Sequence, residues 1–542
     1  MPLSAAGKRG ADALVRTLAA AGVKRVFALS GNHIMAVFDA ALDAGIDLLH
    51  VRHEAAAVHM ADAWGRLTGE SGVALVTGGP GHANAVGALY TALGAESPLV
   101  LLSGHAPLAE LDRGSFQELR QADMAAPVAK ASWTATSAAS LSEEVARALR
   151  VAKAGRPGPV HLSLPTDVLE DVVEAAVPAP DAFSAPTVAL DAAAAQAALA
   201  QLAGANRPLI LTGPLLTRER GRALAEALAA ATGVPVVGME SPRGLADPTI
   251  GAFVRTLPKA DVVLLLDKPL DFALRLGDAL PAGSRLIQID PEPEAIRRTA
   301  SAVGERLALS TVADPLAAAE RLIEVARGRA HPNRDWFVEV QTAVRQRPAE
   351  WATLRSQRDD AVHPVELCRA VQAVLDRDAN AVLVADGGEY CQWAQACLRA
   401  PHRIINGPAG SIGSALPFAI AARLAFPDST VIAMIGDGTF GFHMTEYETA
   451  VRRGLPFVAV VGNDARWNAE HQIQLKAYGA ERAVVCELLP SRYDQVAAAL
   501  GGHGEHVTRV ADLPGALERA LHSGKPACVN VAIEGLAAPR IG

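Results

Sequence analysis

Residues Met434–Asn468 read MIGDGTFGFHMTEYETAVRRGLPFVAVVGNDARWN. A β-branched apolar run, VIAMI, ends in Gly436-Asp437-Gly438; a helical pattern follows. A second run, PFVAVV, then ends in Gly462-Asn463-Asp464. Asp437 and Asn463 stand twenty-six positions apart, the length of one strand–helix–strand crossover to a parallel neighbour. Both polar side chains are therefore expected at C-terminal strand ends, where open α/β sheets bind ligands. The chemistry suits a hard cation on a phosphate: Mg2+ takes oxygen ligands, and Asp437, the amide oxygen of Asn463 and the carbonyl of Ala465 supply three. Gly436 and Gly438 let the backbone approach an anion, and Thr439 opens the helix beyond.

The same alternation runs along the whole chain. VALVT, PLVLLSG and PVHLSLP read as buried strands of a first block; RPLILTGP, VPVVGM, DVVLLLD and RLIQIDP mark a second; AVLVADGG and PACVNVAIE join the quoted pair in a third. The fold class expected is α/β, with three doubly wound parallel-sheet domains at residues 1–178, 188–328 and 362–542. The Pro- and Ala-rich stretch at 177–188 and the polar stretch at 328–362 read as connections.

Composition bounds the rest. The chain has 542 residues, half of them hydrophobic, and a net charge of −8, with no basic surface suited to nucleic acid. Five cysteines form no CxxC pair and point to a reducing, cytoplasmic compartment. No apolar stretch reaches the roughly 18 residues of a membrane span. The N-terminus, MPLSAAGKRGADALVRTLAAAG, reads as an amphipathic helix rather than a signal peptide.

GDG followed at this distance by Asn resembles the signature of thiamine-diphosphate-dependent enzymes, in the branch holding acetolactate synthases, benzaldehyde lyase and 2-hydroxyacyl-CoA lyases. The resemblance spans the chain and implies the domain order pyrimidine-binding, central, diphosphate-binding. It also implies thiamine diphosphate and Mg2+ as cofactors, a homodimer at least, and a homotetramer as the common assembly. In HVRHEAAAVHMADAWGRLTG, Glu54 matches the glutamate that bonds N1′ of the cofactor's aminopyrimidine, a task suited to a water-poor site. In ADGGEYCQW, Gly388, Glu389 and Tyr390 match positions lining the diphosphate. Related synthases often have Gln-His there, so an acid beside an anion is unexpected. In INGPAGSIGS, Gly410 and Ile412 match the segment that bends the cofactor.

Substrate contacts are expected from Asn32 and His33 in SGNHIM, Phe116 and Gln117 in GSFQEL, and Trp467 and Asn468 after the GND turn. His33 and Gln117 would handle substrate oxygen and protons, and His82 is expected to face the cofactor cleft. The central stretch VLLLDKPLDFALRLGDALPAGSRLIQIDPEPE lacks a GxGxxG and weighs against FAD, while leaving room for ADP or coenzyme A. The function implied is a lyase or carboligase, of the transferase or lyase class, acting on small 2-keto acids or 2-hydroxy ketones. The alternatives are a 2-hydroxyacyl-CoA lyase releasing formyl-CoA, against which the short segment after the last strand weighs, and a catalytically silent relative.

Overall fold

Buried Val, Leu, Ile and Ala runs, too apolar for a half-solvated strand, fold into parallel sheets covered by helices on both faces. The computed structural model describes residues 9–174, 176–327 and 334–541. The first sheet holds β1 (Arg25–Ala28), β2 (Asp47–His50), β3 (Gly72–Val76), β4 (Leu99–His105), β5 (Ala131–Thr134) and β6 (Pro159–Pro165), in the order β2-β1-β3-β4-β6-β5. The second holds β7 (Pro208–Thr212), β8 (Val236–Gly238), β9 (Val262–Leu266), β10 (Arg285–Asp290) and β11 (Leu307–Val312), ordered β11-β10-β9-β7-β8. The third holds β12 (Val382–Ala385), β13 (His402–Ile405), β14 (Val431–Gly436), β15 (Val458–Asn463), β16 (His503–Val507) and β17 (Ala527–Ala532), ordered β13-β12-β14-β15-β17-β16. First and third sheets share one topology, and all the named pairings are parallel. The chain divides into two compact units, one carrying the first sheet and the other carrying the second and third.

Two local readings change. The connection from β14 to β15 is two short helices, Asp437–His443 and Glu446–Arg452, where one was expected. Part of the polar stretch read as a connection is a helix, Arg334–Arg345, because its Trp336 and Val340 join the apolar core under the second sheet. The Trp336 indole N–H also donates to the carbonyl of Pro208 at 2.7 Å. Residues 328–333 of that stretch, and residues 1–8 of the expected N-terminal helix, lie outside the described residues. The helix itself runs Gly10–Ala20. Among the described residues no helix is long and apolar enough to cross a membrane.

Within the second unit, polar contacts tie the second and third sheets together. His402 at the start of β13 meets Glu219 at 3.0 Å, and Arg403 pairs with Glu240. β14 and β15 pair with Gly436 beside Gly462, so the turns carrying Asp437 and Asn463 leave one sheet edge side by side. Gly462 is glycine because a β-carbon there would stand 2.6 Å from the Tyr390 ring. Gly462→Ala is expected to push Tyr390 aside and cost about 1–3 kcal/mol, read as a lowered urea midpoint with an unchanged slope.

Candidate functional site

Most of the residues singled out in the third sheet converge on one cavity of about 240 Å³. Its floor is the C-terminal ends of β12, β14 and β15. Gly388, Glu389 and Tyr390 come from the helix Gly388–Cys397, and Gly436, Asp437, Gly438 and Thr439 from the turn after β14. Gly410 and Ile412 come from the loop after β13, and Trp467 and Asn468 from the segment after β15. Gly388 adopts φ +87°, a left-handed backbone that a side chain disfavours, and it opens the helix beside the cavity.

Asp437 is buried, with Oδ1 accepting from the backbone N–H of Gly438 at 2.8 Å and Oδ2 from that of Arg466 at 3.2 Å. Burial outweighs these donors and pushes its carboxyl up to about 6. Asp464, also on the cavity wall, is pushed to about 7 by burial and by the neighbouring Asp437. Two crowded, desolvated acids make a place where a cation is electrostatically favoured. Asn463 and Ala465 stand at the edge of the cavity rather than in its lining. The Asn463 amide N–H₂ donates to the Ser491 carbonyl at 2.9 Å and to Asn530 Oδ1 at 3.2 Å, which fixes the orientation of its oxygen. That oxygen accepts from the Ala465 N–H at 3.2 Å and keeps a second lone pair. Ala465 itself has φ +55°.

Two residues lining the cavity carry a buried side-chain oxygen with no hydrogen-bond partner, Gln392 Oε1 and Asn406 Oδ1, whereas the hydroxyl of Tyr390, also unpartnered, belongs to the core around Cys368 and Cys391. Buried polar atoms are nearly always paired, so two such oxygens on residues of one cavity suit a polar ligand. With the glycine-lined floor and the oxygen set of Asp437, Asn463 and Ala465, the residues fit a diphosphate and its cation.

Glu389 no longer stands as an anomaly. Its carboxylate, 7% exposed, takes Arg243 Nη2 at 3.1 Å on one oxygen and the Ala538 backbone N–H on the other. The negative charge is neutralised from the side and serves to hold the segment Ile533–Ile541. The same segment is held by Asn468 on Leu536, by Trp393 on Ala537 and by Gln472 on Gly535.

Asp386, which the sequence reading passed over, carries the loop that bears Gly410 and Ile412. Completely buried at the end of β12, it accepts from the N–H groups of Gly387 (2.7 Å), Gly413 (2.9 Å) and Ala415 (3.2 Å). The signal was present in ADGG, an acid directly after an apolar strand.

In the first unit a second group of residues gathers on the turn Thr77–Gly81 at the end of β3. Glu54 opens the helix Glu54–Thr68, is half-buried, and accepts from Asn84 Nδ2 at 3.1 Å. A β-carbon on Gly81 would lie 3.4 Å from its Oε1. His33 is buried with Nδ1 on Thr77 Oγ1 at 3.1 Å, and its ring stacks on Phe116 at 6.1 Å between centroids. Burial holds its pKa below the ordinary histidine value. Gln117 sits in a turn with φ +58°, and its carbonyl is 2.6 Å from where a β-carbon on Gly79 would stand. Asn32 and Phe116 are exposed. Thr77 and Asn84, the residues that position His33 and Glu54, escaped the sequence reading because single polar residues carry no spacing signal.

His82 corrects an expectation. It points into the core of the first unit instead of a cleft, with no exposed surface, Nδ1 on Ser103 Oγ at 2.9 Å and its ring 4.5 Å from that of His161. Burial lowers its pKa to about 4. Among the described residues no three His, Cys, Asp or Glu side chains group as a metal site.

Burial pushes Asp386 up to about 6 from 3.8. The folded state therefore holds this proton more tightly than the unfolded chain. The stability it contributes is complete below pH 3.8 and is lost as pH rises through about 6. In Asp386→Asn that part of the pH dependence should vanish, leaving a flatter melting temperature between pH 4 and 6.5 by calorimetry.

Residues 8–124 match the family described as thiamine pyrophosphate enzyme, N-terminal TPP binding domain, and residues 386–531 the corresponding C-terminal TPP binding domain. The chain is 34% identical to "Acetolactate synthase large subunit IlvG" of Mycobacterium tuberculosis, covering 96% of this chain and 94% of that one. It is 30% identical to "2-hydroxyacyl-CoA lyase 2" of Homo sapiens, covering 97% and 90%. It is 31% identical to "Acetolactate synthase, catabolic" of Raoultella terrigena, covering 97% and 95%.

Proposed function

The chain belongs to the thiamine-pyrophosphate-dependent enzymes and is a lyase or carboligase of that family, and on this premise we propose residue roles and a substrate class. The cavity under β12, β14 and β15 takes the diphosphate of thiamine diphosphate, with Mg2+ held by Asp437, Asn463 and the Ala465 carbonyl. The observation that carries this is the convergence of a glycine floor and a buried Asp437 on one cavity, with unpartnered oxygens on two of its lining residues, Gln392 and Asn406. Gly410 and Ile412, on the loop Asp386 holds, support the cofactor's bend. When bound, thiamine diphosphate supplies the electron sink for making or breaking a bond next to a carbonyl.

Glu54 bonds the pyrimidine ring nitrogen, and Asn84 fixes the carboxylate from its other side. Glu54 is only half-buried within its own unit, so the dry surroundings its task needs come from the cofactor and a second chain surface; this supports an assembly of at least two copies, with a homotetramer as the full form. His33 stays neutral near pH 7 because it is buried, so it exchanges a proton with substrate oxygen without adding fixed charge. Gln117 donates to the developing oxyanion, and Asn32 and Phe116 complete that wall. Trp467 and Asn468 wall the opposite pocket. The substrates are small 2-keto acids or 2-hydroxy ketones, and a 2-hydroxyacyl-CoA is the second reading. Five free cysteines suit a cytoplasmic enzyme.

Glu54→Gln should lower turnover by about 10²–10⁴-fold with an unchanged circular dichroism spectrum; near-normal turnover would remove Glu54 from this role. Proton NMR of the enzyme with thiamine diphosphate and Mg2+ separates the substrate readings. Pyruvate or an aromatic 2-hydroxy ketone should give acetolactate, acetoin or free aldehyde, whereas formyl-CoA from a 2-hydroxyacyl-CoA alone selects the second reading.

A further inference from the structure

Two of the five cysteines meet at the end of the helix Gly388–Cys397, whose first turn lines the cavity. Cys397 closes that helix, and Cys368 stands in the helix Pro364–Leu375 packed beside it. Cys368 belongs to the apolar core of the third sheet, and Cys397 packs against that core from outside. The two thiols are hydrogen-bonded to each other. Cys368 is buried and Cys397 is partly exposed, so one sulfur is reachable from solvent and the other stands behind it. A cavity of about 810 Å³ opens beside Leu398, Arg399 and Ala400, the residues directly after Cys397.

The surroundings of Cys397 are cationic. The carbonyl end of a helix by itself disfavours an anion. Here guanidiniums cover that end: Arg347 Nε donates to the Ala396 carbonyl at 2.7 Å and Arg399 Nη1 to the Leu398 carbonyl at 2.9 Å. The other donors of Arg347 go to the carbonyls of Val344, Gln346 and Thr249, all neutral. Neither arginine makes an ion pair with a carboxylate among the described residues, and Asp247 acts on Arg347 only from a distance. Burial and the nearby Arg399 lower Arg347 to about 10, as expected of a cation short of counter-charge. Arg369 adds a third cation, with Glu366 no closer than 3.9 Å. The Cys397 thiol is held below its ordinary value, first by the hydrogen bond from Cys368 and then by Arg347, Arg399 and Arg369, against burial. As donor of that bond and a buried group, Cys368 is raised. Thiols set among cations and open to solvent are the ones that oxidise. Cys391 and Cys528 are buried and raised by burial, and Cys486 is buried with its S–H on the Val484 carbonyl at 3.3 Å.

We propose that Cys397 is an oxidation site resolved by Cys368, so that a peroxide converts the pair to a disulfide joining the helices Pro364–Leu375 and Gly388–Cys397. The Cys397 thiolate attacks a peroxide oxygen. An S–O bond forms, the O–O bond breaks, and the departing oxygen takes up the proton that Cys397 had released. Cys397 is then a sulfenic acid. The Cys368 sulfur attacks it, an S–S bond forms, the S–O bond breaks, and the hydroxyl leaves as water with the Cys368 proton. Two electrons have passed from the two sulfurs to the peroxide. A disulfide of this kind is compatible with a reducing compartment, where such bonds are transient and redox-sensing. The proposal stands apart from the cofactor assignment.

The test uses the reduced full-length protein and hydrogen peroxide, followed by alkylation in denaturant and peptide mass mapping. A Cys368–Cys397 cross-linked peptide should appear before any other cysteine is oxidised, and dithiothreitol should restore both thiols. Cys368→Ser keeps a hydrogen-bond donor and removes the resolving sulfur, so Cys397 should accumulate as sulfenic acid trapped by dimedone. Iodoacetamide should alkylate Cys397 with a pH midpoint below the ordinary thiol value of about 8.5, and Arg399→Gln should move that midpoint upward. First oxidation at another cysteine, oxidation of Cys397 beyond the sulfenic acid without a disulfide, or an alkylation midpoint at or above that ordinary value would each overturn the proposal. The wild-type map needs no variant, so poor folding of a variant cannot mask a negative result.

Discussion

Parallel pairing of β14 with β15, Gly436 beside Gly462, is the constraint on which the cavity at the end of the third sheet depends. A parallel pair ends both strands on the same side, so two turns that are far apart in sequence leave the sheet together. One supplies Asp437 and the other Asp464 and the backbone of Ala465 and Arg466. Because Gly462 has no side chain, the Tyr390 ring can lie against it and become part of the cavity wall. A slip of one residue would turn every side chain of β15 to the opposite face and drive apolar groups into the turn.

The cavity is built of groups that water would otherwise satisfy. Asp437 and Asp464 are raised by burial, and Gln392 and Asn406 each leave a side-chain oxygen unpaired. Each unpaired atom costs about 1–3 kcal/mol. Such an arrangement is unfavourable for folding and favourable for binding, since a ligand that pairs these atoms recovers part of the cost. The rigid parts around it, Asp386 under its loop and Glu389 on Arg243, are fully paired, so the unpaired atoms are held in place rather than free to collapse onto one another.

The fold was legible because its signal is repetitive. Apolar runs ending in Gly or Asp recur through the chain, and Pro159–Pro165 matched its strand residue for residue. The geometry was legible where a fixed spacing sets it, as for Asp437 and Asn463, whose turns leave paired strands side by side. It was less legible where a contact is made by residues distant in sequence. Nothing near Glu389 announces Arg243, 146 positions away, or Ala538, 149 positions away. The helix Arg334–Arg345 was hidden for a related reason: its stretch is charged, and only Trp336 and Val340 on one face reveal the side turned to the core.

Glu389 shows how one substitution in a familiar pattern is absorbed. An acid beside a diphosphate would repel it at close range unless a cation intervened. Arg243 is that cation, and it comes from the loop after β8, in the neighbouring sheet of the same unit. The pair turns a local conflict into a three-way junction between the helix Gly388–Cys397, the second sheet and the segment Ile533–Ile541. Arg243 and Glu389 both line the cavity, so whatever orients this pair shapes the cavity's wall.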